Sequence, residues 1–321
     1  MSHATLDLPA RGQPLLEVQG LCKRYGDKLA VDDVSLSIPR GSIYGFLGPN
    51  GAGKTTTIRC LMDIILPDAG GMTLAGRPLD RRLRDRIGYL PEERGLYRKM
   101  MCQEQLAYLA ELKGVPRREA MDRAAEWLQK LGLADYARRK VDNLSKGMQQ
   151  KVQFAATFIF EPDLVILDEV FSGLDPLNIE LMRDLILEQR ERGVTILFST
   201  HMLAEAERIC DAVCLIEGGR KILDGSLDAV RAAFPFQMVR VAYRDGVEPP
   251  ADLPGVANRR FDEGSWRLEL SPDVDPQALL APLAAAGPLT LFAANRPTLG
   301  EIFLTAVRRQ RAMDTGERSA S

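Results

Sequence analysis

The sequence lacks a strong excess of charge of either sign. Its 42 basic and 44 acidic residues give a formal net charge of −2 and an isoelectric point near 5.9. The chain as a whole therefore does not attract a phosphate backbone. Its densest arginine cluster, at 81–86, alternates with acidic and apolar residues, as on the solvated face of a short helix or turn. We expect no nucleic acid as a partner.

Residues that hold structural metals are also scarce. Histidine occurs only at His3 and His201, and the five cysteines form no C-x-x-C pair. The sequence therefore lacks the spacing of a structural zinc site, and a reduced, cytoplasmic setting fits it best.

Long apolar runs are missing as well. The longest apolar stretch, at 277–294, is broken by two prolines and a glycine and follows a helix-start signal at Asp275. It predicts a short helix and a strand rather than a membrane span. Residues 1–14 lack the basic start and apolar centre of a signal peptide, and we expect them to be flexible, like residues 311–321. Any work at a membrane would require a separate membrane subunit.

The length of the chain, by contrast, is sufficient for two hydrophobic cores. Loose alternation at 15–39 predicts antiparallel strands. Short apolar runs at 42–47, 164–167 and 195–199 predict buried parallel strands joined by helices. We predict an α/β domain at 15–234, with a helical insert at about 95–145, and a small α+β domain at 235–310. The second domain reads as a β-β-α-β unit closed by a helix.

A glycine-rich loop is the first motif that carries chemistry. Residues 48–55 read G-P-N-G-A-G-K-T, which matches the P-loop pattern G-x-x-x-x-G-K-[ST] between a predicted strand and a predicted helix. In this pattern backbone N–H groups face phosphate oxygens, the lysine reaches the β- and γ-phosphates and the threonine ligates Mg²⁺. We predict an ATP and Mg²⁺ site formed by Gly48, Asn50, Gly51, Ala52, Gly53, Lys54, Thr55 and Thr56. A chance glycine turn is the alternative.

Two acids follow the apolar run at 164–167. Asp168 and Glu169 stand at a predicted strand end, which is where open α/β sheets bind ligands. We predict that Asp168 holds Mg²⁺ through water and that Glu169 polarises the attacking water. Taken alone, the two acids could instead be a helix cap and its solvated neighbour.

Residues 144–150 read L-S-K-G-M-Q-Q. Here the sequence resembles the ABC ATPase family, whose LSGGQ signature lies at a helix start and contacts the γ-phosphate held by the opposite protomer. Ser145 and Gly147 match the signature, whereas Lys146 and Met148 depart from it. The resemblance implies a head-to-tail dimer with two ATPs between two copies of the chain. The alternative is that Ser145 only caps a helix.

The same resemblance assigns roles to residues on two later loops. Asp175, in S-G-L-D, resembles the D-loop residue that touches the partner's site. His201 stands where the family has its switch histidine, oriented toward the γ-phosphate and Glu169. A structural histidine at a strand end is the alternative.

Two earlier positions resemble the family less completely. Tyr25 resembles the A-loop aromatic that stacks on adenine, with Val31 nearby, and a tyrosine in the core is the alternative. Glu92 stands where most relatives have the Q-loop glutamine. Because a carboxylate also binds Mg²⁺, we expect Glu92 to keep that role toward the metal and the attacking water.

A narrower resemblance extends over nearly the whole chain. The string E-E-R-G-L-Y at 92–97, the segment at 297–304 and the small C-terminal domain resemble ATP-binding subunits of ABC-2 type exporters, such as sodium and daunorubicin-type drug exporters. This implies an ATPase on the inner face of the cell membrane that powers export through a separate permease. A soluble ABC ATPase that acts on ribosomes or DNA and a nucleotide-sensing regulatory module are the alternatives.

Overall fold

The computed structural model describes residues 7–93, 95–234, 236–262, 264–271 and 273–318. Arg94 of the 92–97 string, and residues 1–6 and 319–321 of the predicted flexible ends, lie outside the described residues. The chain divides into two compact units after Gly225, earlier than the boundary that we predict after Phe234.

The strands are β1 (Pro14–Tyr25), β2 (Lys28–Pro39), β3 (Ile43–Leu47), β4 (Ala69–Leu74), β5 (Arg77–Pro78), β6 (Ile87–Leu90), β7 (Leu164–Asp168), β8 (Thr195–Thr200), β9 (Ala212–Glu217), β10 (Arg220–Ser226), β11 (Gln237–Tyr243), β12 (Val256–Asp262), β13 (Ser265–Leu270) and β14 (Leu289–Asn295). The helices are α1 (Lys54–Leu61), α2 (Arg81–Arg84), α3 (Cys102–Leu112), α4 (Arg117–Lys130), α5 (Lys146–Phe158), α6 (Pro176–Glu191), α7 (Leu203–Ile209), α8 (Leu227–Ala232), α9 (Leu280–Ala286) and α10 (Leu299–Arg318).

Two sheets form the first unit. One has the order β2-β1-β4-β5 and is antiparallel, and the other has the order β10-β9-β3-β8-β7-β6. In the second sheet the strands from β9 to β6 run parallel. Every residue of β3, β7 and β8 is buried, as expected where both faces of a parallel sheet are covered. The predicted α/β fold class is confirmed.

A single core cluster connects the two sheets with α1. It contains Leu16 and Val34 from the antiparallel sheet, Phe46 and Leu197 from the parallel sheet, and Ile58 from α1. The glycine-rich loop between β3 and α1 is therefore anchored at both of its ends.

The predicted helical insert consists of α3 and α4, which pack against each other and against α5. Trp127 of α4 lies against Phe154 and Phe158 of α5, with ring centroids 6.0 and 5.9 Å away. Aromatic contacts of this kind stabilise beyond the area that they bury, so α5 is held firmly between the insert and the sheet.

The second unit contains an antiparallel sheet of order β12-β13-β11-β14. Its core includes Val239, Val241, Leu268 and Leu283. The predicted β-β-α-β unit omits β12. All residues from 257 to 261 are exposed, so this strand carries no apolar alternation from which it could be predicted.

The structure describes parts of the two ends that we predict to be flexible. Leu8 packs against the core of the first unit, and Nη1 of Arg40 donates to the carbonyl oxygen of Pro9 over 2.7 Å. Apolar burial and this hydrogen bond anchor the N-terminal segment. At the other end, α10 continues to Arg318 instead of ending near 310. None of the helices in the described part of the chain has the length and hydrophobicity that crossing a membrane requires.

A glycine in β6 allows α5 to lie close to the sheet. A Cβ on Gly88 would lie 2.4 Å from the carbonyl oxygen of Thr157 in α5. We expect Gly88→Ala to displace α5 and to lower the free energy of unfolding of the first unit by about 1–3 kcal/mol. Urea unfolding followed by circular dichroism measures this change.

Gly71→Ala in β4 is the matched control, because a Cβ there meets no atom within 4 Å. Equal unfolding midpoints for the two alanine variants would contradict the predicted contact.

Candidate nucleotide site

The glycine-rich loop lies against other backbone segments on two sides. A Cβ on Gly48 would lie 2.2 Å from the carbonyl oxygen of Ile216, and one on Gly53 would lie 2.5 Å from that of Ala30. Gly51 and Gly53 have φ angles of 80° and 110°, a region that favours glycine. The loop conformation therefore requires glycine at these positions, which leaves its backbone unobstructed by side chains.

The ammonium group of Lys54 folds back onto the same loop. Its Nζ donates to the carbonyl oxygens of Gly48, over 2.7 Å, and Pro49, over 3.2 Å. It also lies 3.6 Å from Oε1 of Glu169, and the side chain is only 6% exposed. A cation is thus held inside the loop, where an anionic phosphate would be a stronger partner than two neutral carbonyl groups.

Asp168 ends β7 and is completely buried. Within the described residues neither of its carboxylate oxygens has a hydrogen-bond partner. Burial raises the pKa of Asp168, and the hydroxyls of Ser199 and Thr55, which lie nearby without completing a hydrogen bond, oppose that shift. A buried carboxylate without a partner is unfavourable, and a hard divalent cation would compensate it. Asp168 and Thr55 therefore fit a Mg²⁺ site.

The carboxylate of Glu169, the next residue, makes its hydrogen bonds through one of its two oxygens. Its Oε2 accepts from the hydroxyl of Thr200 over 3.3 Å and lies 2.9 Å from Nδ1 of His201. Its Oε1 has no hydrogen bond and faces Lys54. The backbone φ of 53° is uncommon for a residue other than glycine and indicates local strain. The carboxylate is thus fixed, with one oxygen left toward the P-loop.

His201 follows β8 and has a side chain that is 45% exposed. The structure places its imidazole beside Glu169, as described above, and leaves the remainder of the ring accessible. A structural histidine at a strand end, the alternative interpretation, would be expected to have a buried ring.

Glu92 is exposed on the loop that follows β6. Its charge contributes to the raised pKa of Asp168, after burial and the neighbouring Glu169. Gln153 of α5 supports this loop, because its Nε2 donates to the carbonyl oxygens of Pro91, over 3.4 Å, and Glu93, over 3.2 Å. Sequence reasoning missed Gln153, since nothing in its local pattern marks a long-range contact.

The two residues predicted to contact adenine differ in exposure. Tyr25, at the end of β1, is 49% exposed, with Nζ of Lys23 5.6 Å from its ring centroid. The structure therefore rules out a tyrosine buried in the core. Val31 is fully buried in the core cluster and offers adenine no exposed surface, contrary to its predicted role.

The residues predicted to act in a partner's site lie at helix starts. Ser145 caps α5 by accepting from the backbone N–H of Met148 over 3.3 Å. Asp175 caps α6 by accepting from the N–H of Asn178 over 3.0 Å, and the backbone N–H and side chain of Asn178 lower the pKa of Asp175. A Cβ on Gly147 would make only an ordinary contact of 3.7 Å. Capping is thus one real role of Ser145, as the alternative interpretation holds.

Two family models match this chain. The family described as "ABC transporter" matches residues 31–172, and "ATP-binding protein DrrA1-3-like, C-terminal domain" matches residues 225–307. The ABC transporter ATP-binding protein YhaQ of Bacillus subtilis is 37% identical over 293 residues, which cover 91% of this chain and 98% of YhaQ.

Two further comparisons agree. The Nod factor export ATP-binding protein I of Burkholderia orbicola is 39% identical over 300 residues, or 92% of this chain and 97% of that protein. A solved structure of the ATP-binding subunit of an ABC transporter superposes with a TM-score of 0.64 at 36% identity, over 68% of this chain and 93% of its own. The family resemblance read from the sequence is confirmed. The chain belongs to the family of ABC transporter ATP-binding proteins and carries a DrrA-like C-terminal domain.

Proposed function

We propose that this subunit binds ATP with Mg²⁺ and hydrolyses it at the edge of the parallel sheet where β3, β7 and β8 end. The observation that carries this proposal is the convergence of Lys54, Asp168, Glu169 and His201 at that edge. A nucleotide-binding loop alone would not require a fixed carboxylate with one free oxygen beside it.

Each residue has a distinct part in the proposed reaction. Lys54 exchanges its carbonyl partners for the β- and γ-phosphates. The free Oε1 of Glu169 orients the attacking water and accepts its proton, while His201 holds the other oxygen. Thr55, Asp168 and Glu92 would hold Mg²⁺, which would supply neutralisation of the phosphate charge. The fold contributes position and charge rather than a covalent intermediate.

We also propose that the subunit works as a head-to-tail dimer that drives export through a separate membrane permease, from the cytoplasmic face of the membrane. The export direction is supported by relatives named as Nod factor export ATP-binding proteins. The need for a second copy is supported by Ser145 and Gly147, which the family uses toward the nucleotide held by the other protomer. ATP binding would close the dimer and hydrolysis would reopen it.

The carboxylate of Glu169 provides the central test. We expect Glu169→Gln to retain ATP binding, because Lys54 and the loop backbone are unchanged, and to lower turnover by at least about 10²-fold. Release of phosphate measures turnover, and equilibrium binding of ATP measures the affinity. Glu205→Gln is the control, since it neutralises another largely buried glutamate outside the site. Turnover near wild type in Glu169→Gln would refute the assignment of the base.

Substitutions of Glu92 and of its neighbour Glu93 distinguish a role in Mg²⁺ binding from the general effect of losing a negative charge. We expect Glu92→Ala to raise the Mg²⁺ concentration required for half-maximal ATPase activity, because one oxygen ligand is lost. Glu93→Ala removes an equally exposed carboxylate from the same loop and should leave that concentration unchanged. A Mg²⁺ titration of both variants decides between the roles, and identical titration curves would exclude Glu92 from the metal site.

The two roles of Ser145 can be separated by a residue that also caps helices. Aspartate is a good N-cap, so Ser145→Asp preserves the start of α5 but places a negative charge where the partner's γ-phosphate would lie. In a Glu169→Gln background we expect it to abolish ATP-dependent dimers, as measured by light scattering. Ser226→Asp, at the N-cap of α8, is the matched control and should dimerise normally. Normal dimers in both variants would leave Ser145 as a cap only.

A further inference from the structure

Thr200 is the last residue of β8 and is only 1% exposed. Its hydroxyl makes two contacts at once. It lies 3.3 Å from Oε2 of Glu169 and 3.0 Å from the backbone nitrogen of Met202. Sequence reasoning attached no role to it, although a hydroxyl residue between a buried strand and His201 is a signal that could have been used.

The chemistry of the two partners fixes the direction of both hydrogen bonds. The backbone N–H of Met202 can only donate, so the hydroxyl of Thr200 accepts from it. The single hydroxyl proton is then available to the carboxylate of Glu169, which as an anion can only accept. One hydroxyl therefore connects Glu169 with the backbone immediately after His201.

The position of the Glu169 carboxylate depends on such side-chain contacts. Its backbone lies in the left-handed region, and its two oxygens face different partners. Oε2 is shared by Thr200 and His201, whereas Oε1 is turned to Lys54 over 3.6 Å. If Oε2 lost the Thr200 proton, His201 would be its one remaining hydrogen-bond partner among the described residues. Rotation of the carboxylate about that single contact would move the oxygen that faces the P-loop.

We infer that Thr200 is a positioning residue for ATP hydrolysis: its hydroxyl holds Oε2 of Glu169, so that Oε1 faces the reacting water. The inference rests on the proposed function of Glu169 as the base. Thr200 itself touches neither nucleotide nor water in this role, and it acts through Glu169.

The same strand offers a matched control at its other end. Thr195 is fully buried, and its hydroxyl accepts from the backbone N–H of Gly41 over 2.9 Å. Thr195→Val and Thr200→Val therefore each remove one buried hydroxyl and leave one backbone N–H without its partner. Only the second substitution also removes a hydrogen bond to Glu169, so the pair separates a structural contribution from a positioning one.

The experiment compares full-length wild type with Thr200→Val, Thr200→Ser and Thr195→Val. We expect Thr200→Val to lower kcat by about 10- to 100-fold, the loss that follows from one hydrogen bond to a charged group. The Kd for ATP, measured without turnover, should stay within about twofold. Thr200→Ser restores the hydroxyl and should recover most of kcat. Thr195→Val should reduce the Tm by about as much as Thr200→Val but retain the wild-type kcat.

Two results would overturn the inference. Equal kcat values in Thr200→Val and Thr195→Val would show that the hydroxyl of Thr200 is only structural. A Kd for ATP that rises as much as kcat falls would show that Thr200 shapes the binding site rather than the position of the base. Lack of Mg-dependent turnover in the wild type would refute the proposed function itself, and it is distinguished from both results because it appears before any substitution.

Discussion

Two adjacent buried carboxylates at the end of β7 are the constraint on which the site depends. Taking a carboxylate out of water costs on the order of several kcal/mol unless nearby charges or hydrogen-bond donors replace the water. Glu169 receives such groups from Lys54, Thr200 and His201. The side-chain oxygens of Asp168, one residue earlier, have no hydrogen-bond partner in the described part of the chain. This asymmetry matches the two proposed roles, proton chemistry for Glu169 and a cation for Asp168.

The helix α5 connects this carboxylate pair to the rest of the first unit. Its Gln150 donates from Nε2 to the carbonyl oxygen of Val170 over 2.5 Å, directly after Glu169. Its Gln153 supports the loop that carries Glu92, as described above. Because Ser145 caps the start of α5, a displacement of that helix start would be transmitted through two amide side chains to both acidic loops. Tight packing of α5 against β6 and the helical insert makes such a displacement a movement of the whole helix rather than a local adjustment.

The parts of the structure that the sequence predicts are those with local causes. The P-loop follows from its glycines and the buried strands follow from short apolar runs, because the same few residues both carry the pattern and form the element. Long-range contacts have no such pattern, and for that reason the contacts of Thr200 and Gln153 appear only in the structure. The exposed strand β12 has no apolar alternation, and the complete burial of Val31 depends on how two sheets meet. Asp168 and Glu169 were only partly predictable. Their position at a strand end follows from the sequence, but the difference between their surroundings does not.

The charges at helix starts give an independent reason to regard the site as half of a composite one. Acidic residues stabilise the first turn of a helix, where backbone N–H groups are unpaired. In the first unit α3, α4 and α7 each carry a glutamate there. The starts of α2 and α6 are each capped by an aspartate. By contrast α1 and α5, whose starts bear predicted nucleotide residues, have no acid at either position, and α5 begins with Lys146 instead. A positive helix start without its own acid favours an anion from outside the helix. In the proposed function, the anion for α1 is the nucleotide on its own P-loop, and the anion for α5 is the nucleotide of a second copy.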